Sequence, residues 1–139
     1  MAIGKKIAET LAAESNFREN GAILAISGPL GAGKTTLVKG LAQFFNISEE
    51  ITSPTYTIIS EYEGKIGGKT LVFYHIDAYR LKGEDDFLDM GGEDYLYSAA
   101  LCVIEWSENI KGCLPLDIYR LEMEICSGNG RNIRFSRDK

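Results

Sequence analysis

Residues 26–35 read ISGPLGAGKT, and within them Gly28, Gly33, Lys34 and Thr35 hold the spacing G-x-x-x-x-G-K-T. That spacing is the phosphate-binding loop pattern. Glycines let backbone N–H groups turn inward around phosphate oxygens, and a helix starting at the lysine presents its positive end to the same anion. Lys34 then supplies a point charge for the terminal phosphates, and the Thr35 hydroxyl takes one position on Mg²⁺. Residue frequencies put a chance match to these fixed positions at about one in a hundred for a chain of this composition. The ligand this chemistry suits is a nucleoside triphosphate.

Hydrolysis of a bound triphosphate also needs an acid near the metal and a group that orients water. Two candidates stand at the ends of apolar runs: Asp77 closes LVFYHID and Glu105 closes ALCVIE. Either is equally a solvated carboxylate at a strand end, and spacing does not choose between them. In TSPTYT the hydroxyls of Ser53 and Thr55 could reach a metal or a γ-phosphate, as switch segments do, or simply begin a strand. His75 is the only histidine; alone on a strand it reads better as a packed or hydrogen-bonded residue than as a base. Trp106 suits stacking on a base or partner as well as a place at the core edge. Arg131 and Arg134 could approach a phosphate, but a solvated face is the simpler reading.

The elements that must position these groups are legible in outline. AILAIS, Ala22 to Ser27, is a continuous apolar run suited to a strand buried on both faces. Lys34 to Phe45 has helical periodicity with Leu37, Val38, Leu41, Phe44 and Phe45 inward, so the loop lies between a strand and a helix. Thr55–Tyr62 and Thr70–Asp77 read as two strands joined through the GKIGGK turn. KGEDDFLDMGGEDYLYSA is acidic and glycine-interrupted, suggesting short helices, and Leu101 to Trp106 is another buried strand. DIYRLEMEI, SGNG and RNIRF read as a C-terminal hairpin. Ile3, Ile7 and Leu11 give the N-terminus an amphipathic helix rather than a signal peptide.

The chain of 139 residues has the length of one domain. Fifteen basic against twenty acidic residues give a net charge of −5. That balance disfavours broad contact with nucleic-acid phosphates, whose affinity comes from Lys and Arg. No apolar run reaches the roughly 18 residues of a membrane span. Three cysteines without a CxxC pair suggest neither a disulfide framework nor a zinc site, and Cys102 within ALCVIEW reads as a small core residue. The expected compartment is the cytoplasm.

GPLGAGKTTLVKG, SPTYT, YHIDAYRL, MGGEDYL and VIEWSENI occur in that order, and with them nearly the whole chain resembles the bacterial TsaE (YjeE) family. The resemblance implies a P-loop ATPase of unusual topology: an α/β, three-layer domain with a mixed central sheet and the C-terminal β-hairpin. It implies work with a TsaB–TsaD pair to make N6-threonylcarbamoyladenosine in tRNAs reading ANN codons, with tRNA met only through that complex. ATP and Mg²⁺ binding carries over to Gly31, Ala32, Gly33, Lys34, Thr35 and Thr36, beside Gly28. Glu105 is implied as a metal-site residue and Asp77 as important for hydrolysis. Two departures stand out. Pro29 occupies a position usually acidic or polar, which stiffens entry to the loop. The chain also begins almost inside its first helix, so an altered adenine contact is expected.

Two other readings use the same loop. A small-molecule kinase would carry an arginine-bearing lid, and the acidic segment after Leu81 offers no compact one. A non-catalytic module would bind ATP to order SPTYT as a docking face. No NKxD guanine-reading motif occurs, which disfavours a GTPase.

Overall fold

The computed structural model describes residues 2–14, 16–29, 33–49, 51 and 58–137. Among the described residues six strands form one sheet: β1 (Ala22–Ser27), β2 (Ile59–Ile66), β3 (Lys69–Asp77), β4 (Leu101–Glu105), β5 (Tyr119–Ile125) and β6 (Arg131–Arg137), in the order β2-β3-β4-β1-β5-β6. β3, β4, β1 and β5 are mutually parallel, and β2 and β6 close the two edges antiparallel to their neighbours. The central strands are near-continuous apolar runs because helices cover both faces.

On one face lie α1 (Ala2–Ala12), the short α2 (Phe17–Asn20) and α3 (Lys34–Phe44), packed on β1, β3, β4 and β5 through Leu11, Phe17, Leu37, Leu41, Phe45 and Phe73. On the other lie α4 (Glu84–Asp89), α5 (Gly92–Leu96) and a 3-10 segment over Ser107–Cys113, closed around Ile76, Phe87, Leu96, Ile104 and Ile110. Strand alternation therefore assigns faces: Leu24, Ile26, Phe73, Leu101 and Val103 meet α1 and α3, whereas Ile76 and Ile104 meet the opposite layer. Cys102 is fully buried, as its sequence context suggests. Among the described residues no helix is long and apolar enough to cross a membrane.

Several expected boundaries are corrected: the strand expected over Thr55–Tyr62 begins at Ile59, with positions 55–57 outside the described residues, β5 begins at Tyr119 rather than Asp117, and β6 runs beyond RNIRF to Arg137. The turn after β2 is shorter than GKIGGK: the strand continues through Gly64, Lys65 and Ile66, and only Gly67 and Gly68, both at positive φ, form the two-residue hairpin loop. Gly64 is a strand residue because β2 passes close to the end of α3. A Cβ there would stand 2.6 Å from the Phe45 carbonyl oxygen, and the next N–H, of Lys65, donates to that oxygen at 2.7 Å. β4 stops at Glu105, since Trp106 takes left-handed backbone angles (φ 59°, ψ 41°) and turns the chain out of the sheet.

Candidate functional site

β1 delivers Gly28 and Pro29 to the C-terminal edge of the sheet, and α3 returns from Gly33. Gly28 has φ 146° and lies against β5, where a Cβ would come within 2.6 Å of the Met123 carbonyl oxygen. Gly33 has φ 96° and caps α3 without a side chain, which leaves the first-turn N–H groups free of a capping oxygen of its own. Gly31 and Ala32 lie outside the described residues, as do Ser53 and Thr55.

Parallel pairing brings the two strand-end acids to this edge. Asp77 pairs in register with Glu105, and Glu105 with Ile26. The strand order therefore sets both carboxylates beside the chain that leaves β1. Glu105 shares the α3 face with Val103, and Thr35 in the first turn of α3 reaches it: Thr35 Oγ1 donates to Glu105 Oε1 at 3.1 Å and lies 3.4 Å from Oε2. Beneath, the fully buried His75 places Nε2 2.5 Å from Glu105 Oε2. Asp77 accepts the Tyr79 N–H on Oδ1 at 3.1 Å, which caps the short turn Ala78–Arg80 and fixes the carboxylate at the strand end.

Lys34 is buried, its Nζ donating to the carbonyls of Gly28 (2.5 Å) and Pro29 (2.9 Å). The same ammonium lies 3.7 Å from the centroid of the Trp106 ring, a cation–π arrangement. Burial lowers the Lys34 pKa from the usual lysine value, opposed by the negative charges of Glu108, Glu105 and Asp77. Trp106 packs in turn on Tyr79, with ring centroids 4.9 Å apart. Lys34, Thr35, Asp77, Glu105 and Trp106 thus share one edge of the sheet. Arg131 does not join them, since β6 is separated from β1 by β5; its guanidinium donates to the Gly130 carbonyl.

Sequence reasoning passed over the clasp that follows Trp106. Ser107 Oγ donates to the Ile26 carbonyl (3.2 Å), Asn109 Nδ2 to the Ala78 carbonyl (2.9 Å), and Gly28 N approaches Glu108 Oε2 at 3.5 Å. These side chains tie Trp106–Asn109 to the ends of β1 and β3. The polar run SEN directly after a buried strand was their available signal. His75 is packed and hydrogen-bonded, as a lone strand histidine suggests; its partner, thirty positions away, has no sequence signature.

A cavity of ≈ 200 Å³ at the opposite end of the sheet is lined by Leu11, Glu14, Phe17, Tyr119 and Arg137 among others. It lies beside the start of β1, away from the loop, and the Arg137 charge there is taken up by Glu14 and Asp117.

A glycine loop joining a central parallel strand to a helix, with Lys34 and Thr35 opening that helix and an acid ending the adjacent strand, defines a P-loop α/β fold. Comparison with known proteins agrees. The family described as "Threonylcarbamoyl adenosine biosynthesis protein TsaE" matches residues 1–133. A protein of Treponema pallidum named tRNA threonylcarbamoyladenosine biosynthesis protein TsaE is 40% identical over 115 residues, covering 83% of this chain and 82% of its own. The protein of that name from Bacillus subtilis is 36% identical over 132 residues, covering 95% and 78%. The crystal structure of Bacillus subtilis YdiB superposes with a TM-score of 0.68 at 33% identity, covering 99% of this chain and 80% of that one. The chain belongs to the TsaE family, whose members take part in tRNA threonylcarbamoyladenosine biosynthesis.

Proposed function

We propose that this chain is a cytoplasmic ATPase that binds ATP with Mg²⁺ and acts on a TsaB–TsaD-like complex to support threonylcarbamoylation of adenosine in tRNAs reading ANN codons. The single observation that carries the nucleotide chemistry is the Thr35–Glu105 contact, made beside the N-terminus of α3 and next to Lys34. A hydroxyl and a carboxylate are hard oxygen donors suited to Mg²⁺, which takes its remaining ligands from phosphates and water. Among the described residues no group of three or more His, Cys, Asp and Glu side chains could hold a metal. A cation that arrives with the nucleotide fits that donor set.

The reaction is ATP + H₂O → ADP + phosphate. Bound Mg²⁺ would neutralise charge on the phosphate oxygens. Lys34 offers the terminal phosphates a positive charge that burial leaves weakly hydrated, and it must leave the Gly28 and Pro29 carbonyls to do so. Asp77, in register beside Glu105, would orient the attacking water and take its proton. Trp106 buttresses Lys34 and limits water on that side. With a net charge of −5, the chain leaves contact with tRNA to its partners.

The test is phosphate release by the chain alone and with a TsaB–TsaD pair. Turnover that rises with the pair supports the proposal. Tight ATP binding without turnover in either condition favours a non-catalytic module, and phosphate transfer to a metabolite without any partner favours a kinase.

A further inference from the structure

His75 stands on β3 between Tyr74 and Ile76, paired with Ser60 of β2 and Val103 of β4, and is fully buried, where an imidazole costs free energy unless it is hydrogen-bonded. Among the described residues its hydrogen-bond partner is Glu105, reached through Nε2. Among the described residues Nδ1 is buried without a hydrogen-bond partner. Register explains the contact: His75 pairs with Val103, two residues before Glu105, and alternation turns His75 and Glu105 to the same face of neighbouring strands. Glu105 is therefore held between two elements, with His75 Nε2 on Oε2 and the Thr35 hydroxyl nearest Oε1. Because the carboxylate is an acceptor towards both, the imidazole hydrogen belongs on Nε2.

We propose that His75 is a positioning residue that fixes the orientation of the Glu105 carboxylate towards the Mg²⁺ that accompanies ATP. Without it, a carboxylate at a strand end rotates among orientations, and only some aim an oxygen at a cation shared with Thr35. Outer partners of this kind typically change metal affinity by about 10–100-fold. The inference rests on the ATP and Mg²⁺ reading above and adds to it the residue that orients the acid.

Its test does not depend on turnover. As the only histidine, His75 gives imidazole nitrogen resonances in ¹⁵N-labelled protein that need no assignment. The Nε2 resonance should hold its position when ATP is added in EDTA and move when Mg²⁺ follows. In parallel, the Mg²⁺ concentration giving half of the metal-dependent gain in ATP affinity should rise by about tenfold or more in His75→Leu. His75→Gln, which keeps a donor at similar reach, should return it to within about threefold, and ATP affinity in EDTA should stay within about twofold of wild type in both. A purely structural role would not separate the Mg²⁺-dependent affinity from the Mg²⁺-free one. An unchanged Mg²⁺ requirement in a His75→Leu chain that binds ATP overturns the positioning role alone. If His75→Leu does not fold, an Nε2 resonance indifferent to Mg²⁺ in the wild-type ATP complex overturns it. A wild-type chain that binds no ATP overturns the functional reading and this inference together.

Discussion

Thr35 Oγ1 lies 3.1 Å from Glu105 Oε1, joining the first turn of α3 to the end of β4 across 70 positions of sequence. The contact exists because β4 runs parallel to β1 in a register that sets Glu105 beside Ile26, while the chain leaving β1 turns back into α3. Two hard oxygen donors on adjoining elements are a place for a cation only if both keep their chemistry. Glu105→Gln keeps the size of the side chain and removes its charge. It is expected to lower Mg²⁺-dependent phosphate release by ~10²–10³-fold, the range seen when one preorganised electrostatic group is lost, with ATP affinity in EDTA nearly unchanged. Phosphate release and nucleotide titration on the same preparation check the split.

Nucleotide binding through Lys34 is expected to depend on pH. Burial holds its pKa below the usual 10.5, with Glu108, Glu105 and Asp77 pulling the other way. A polyphosphate prefers the ammonium, so ATP affinity should be complete below the lowered pKa and should fall as pH rises through it. Stability has the opposite sign: the unfolded chain holds this proton more tightly, so the folded state gains stability as pH climbs from the lowered pKa towards 10.5. Titrations with a fluorescent ATP analogue at increasing pH should show an affinity midpoint below 10.5 that is absent from Lys34→Met.

Gly28 and Gly68 separate strain from contact. Both have positive φ, 146° and 83°, but a Cβ on Gly28 meets the Met123 carbonyl, whereas one on Gly68 meets none of the described residues within 4 Å. Gly68→Ala should cost about 1 kcal/mol from backbone strain alone, and Gly28→Ala about 3 kcal/mol or more because β5 must also give way. Urea melts of the two variants measure the difference. Only Gly28→Ala should weaken ATP binding as well.

Cys102 tests the burial of β4. Its thiol is fully buried and burial pushes its pKa up to about 12, while Cys113 and Cys126 are partly exposed. Thiolate is the reactive form. A disulfide reagent at pH 8 should therefore modify two cysteines in the native protein and three after denaturation.

The elements were legible where local pattern decides them. AILAIS is β1 to the residue, since a continuous apolar run admits little besides a strand buried on both faces. Gly33-Lys34 announces α3, and the acidic glycine-punctuated stretch gives the two short helices α4 and α5. Long-range register was not legible. Asp77 and Glu105 looked equivalent as strand-end acids, and only the parallel pairing of β3, β4 and β1 shows both at one edge with Glu105 nearer α3. His75 was invisible as a partner of Glu105 for the same reason. Gly64 was misplaced because a strand glycine and a turn glycine look alike until the approach of β2 to the end of α3 is known.

The central claim is that the loop from Gly28 to Thr35 holds ATP through Lys34. Calorimetric titration of ATP with Mg²⁺ into wild-type protein and folded Lys34→Ala addresses it most directly. Saturable binding near one ATP per chain is expected in the wild type, and loss of detectable binding in the variant. Equal ATP affinity in the two proteins, or no binding to the wild type, would contradict it.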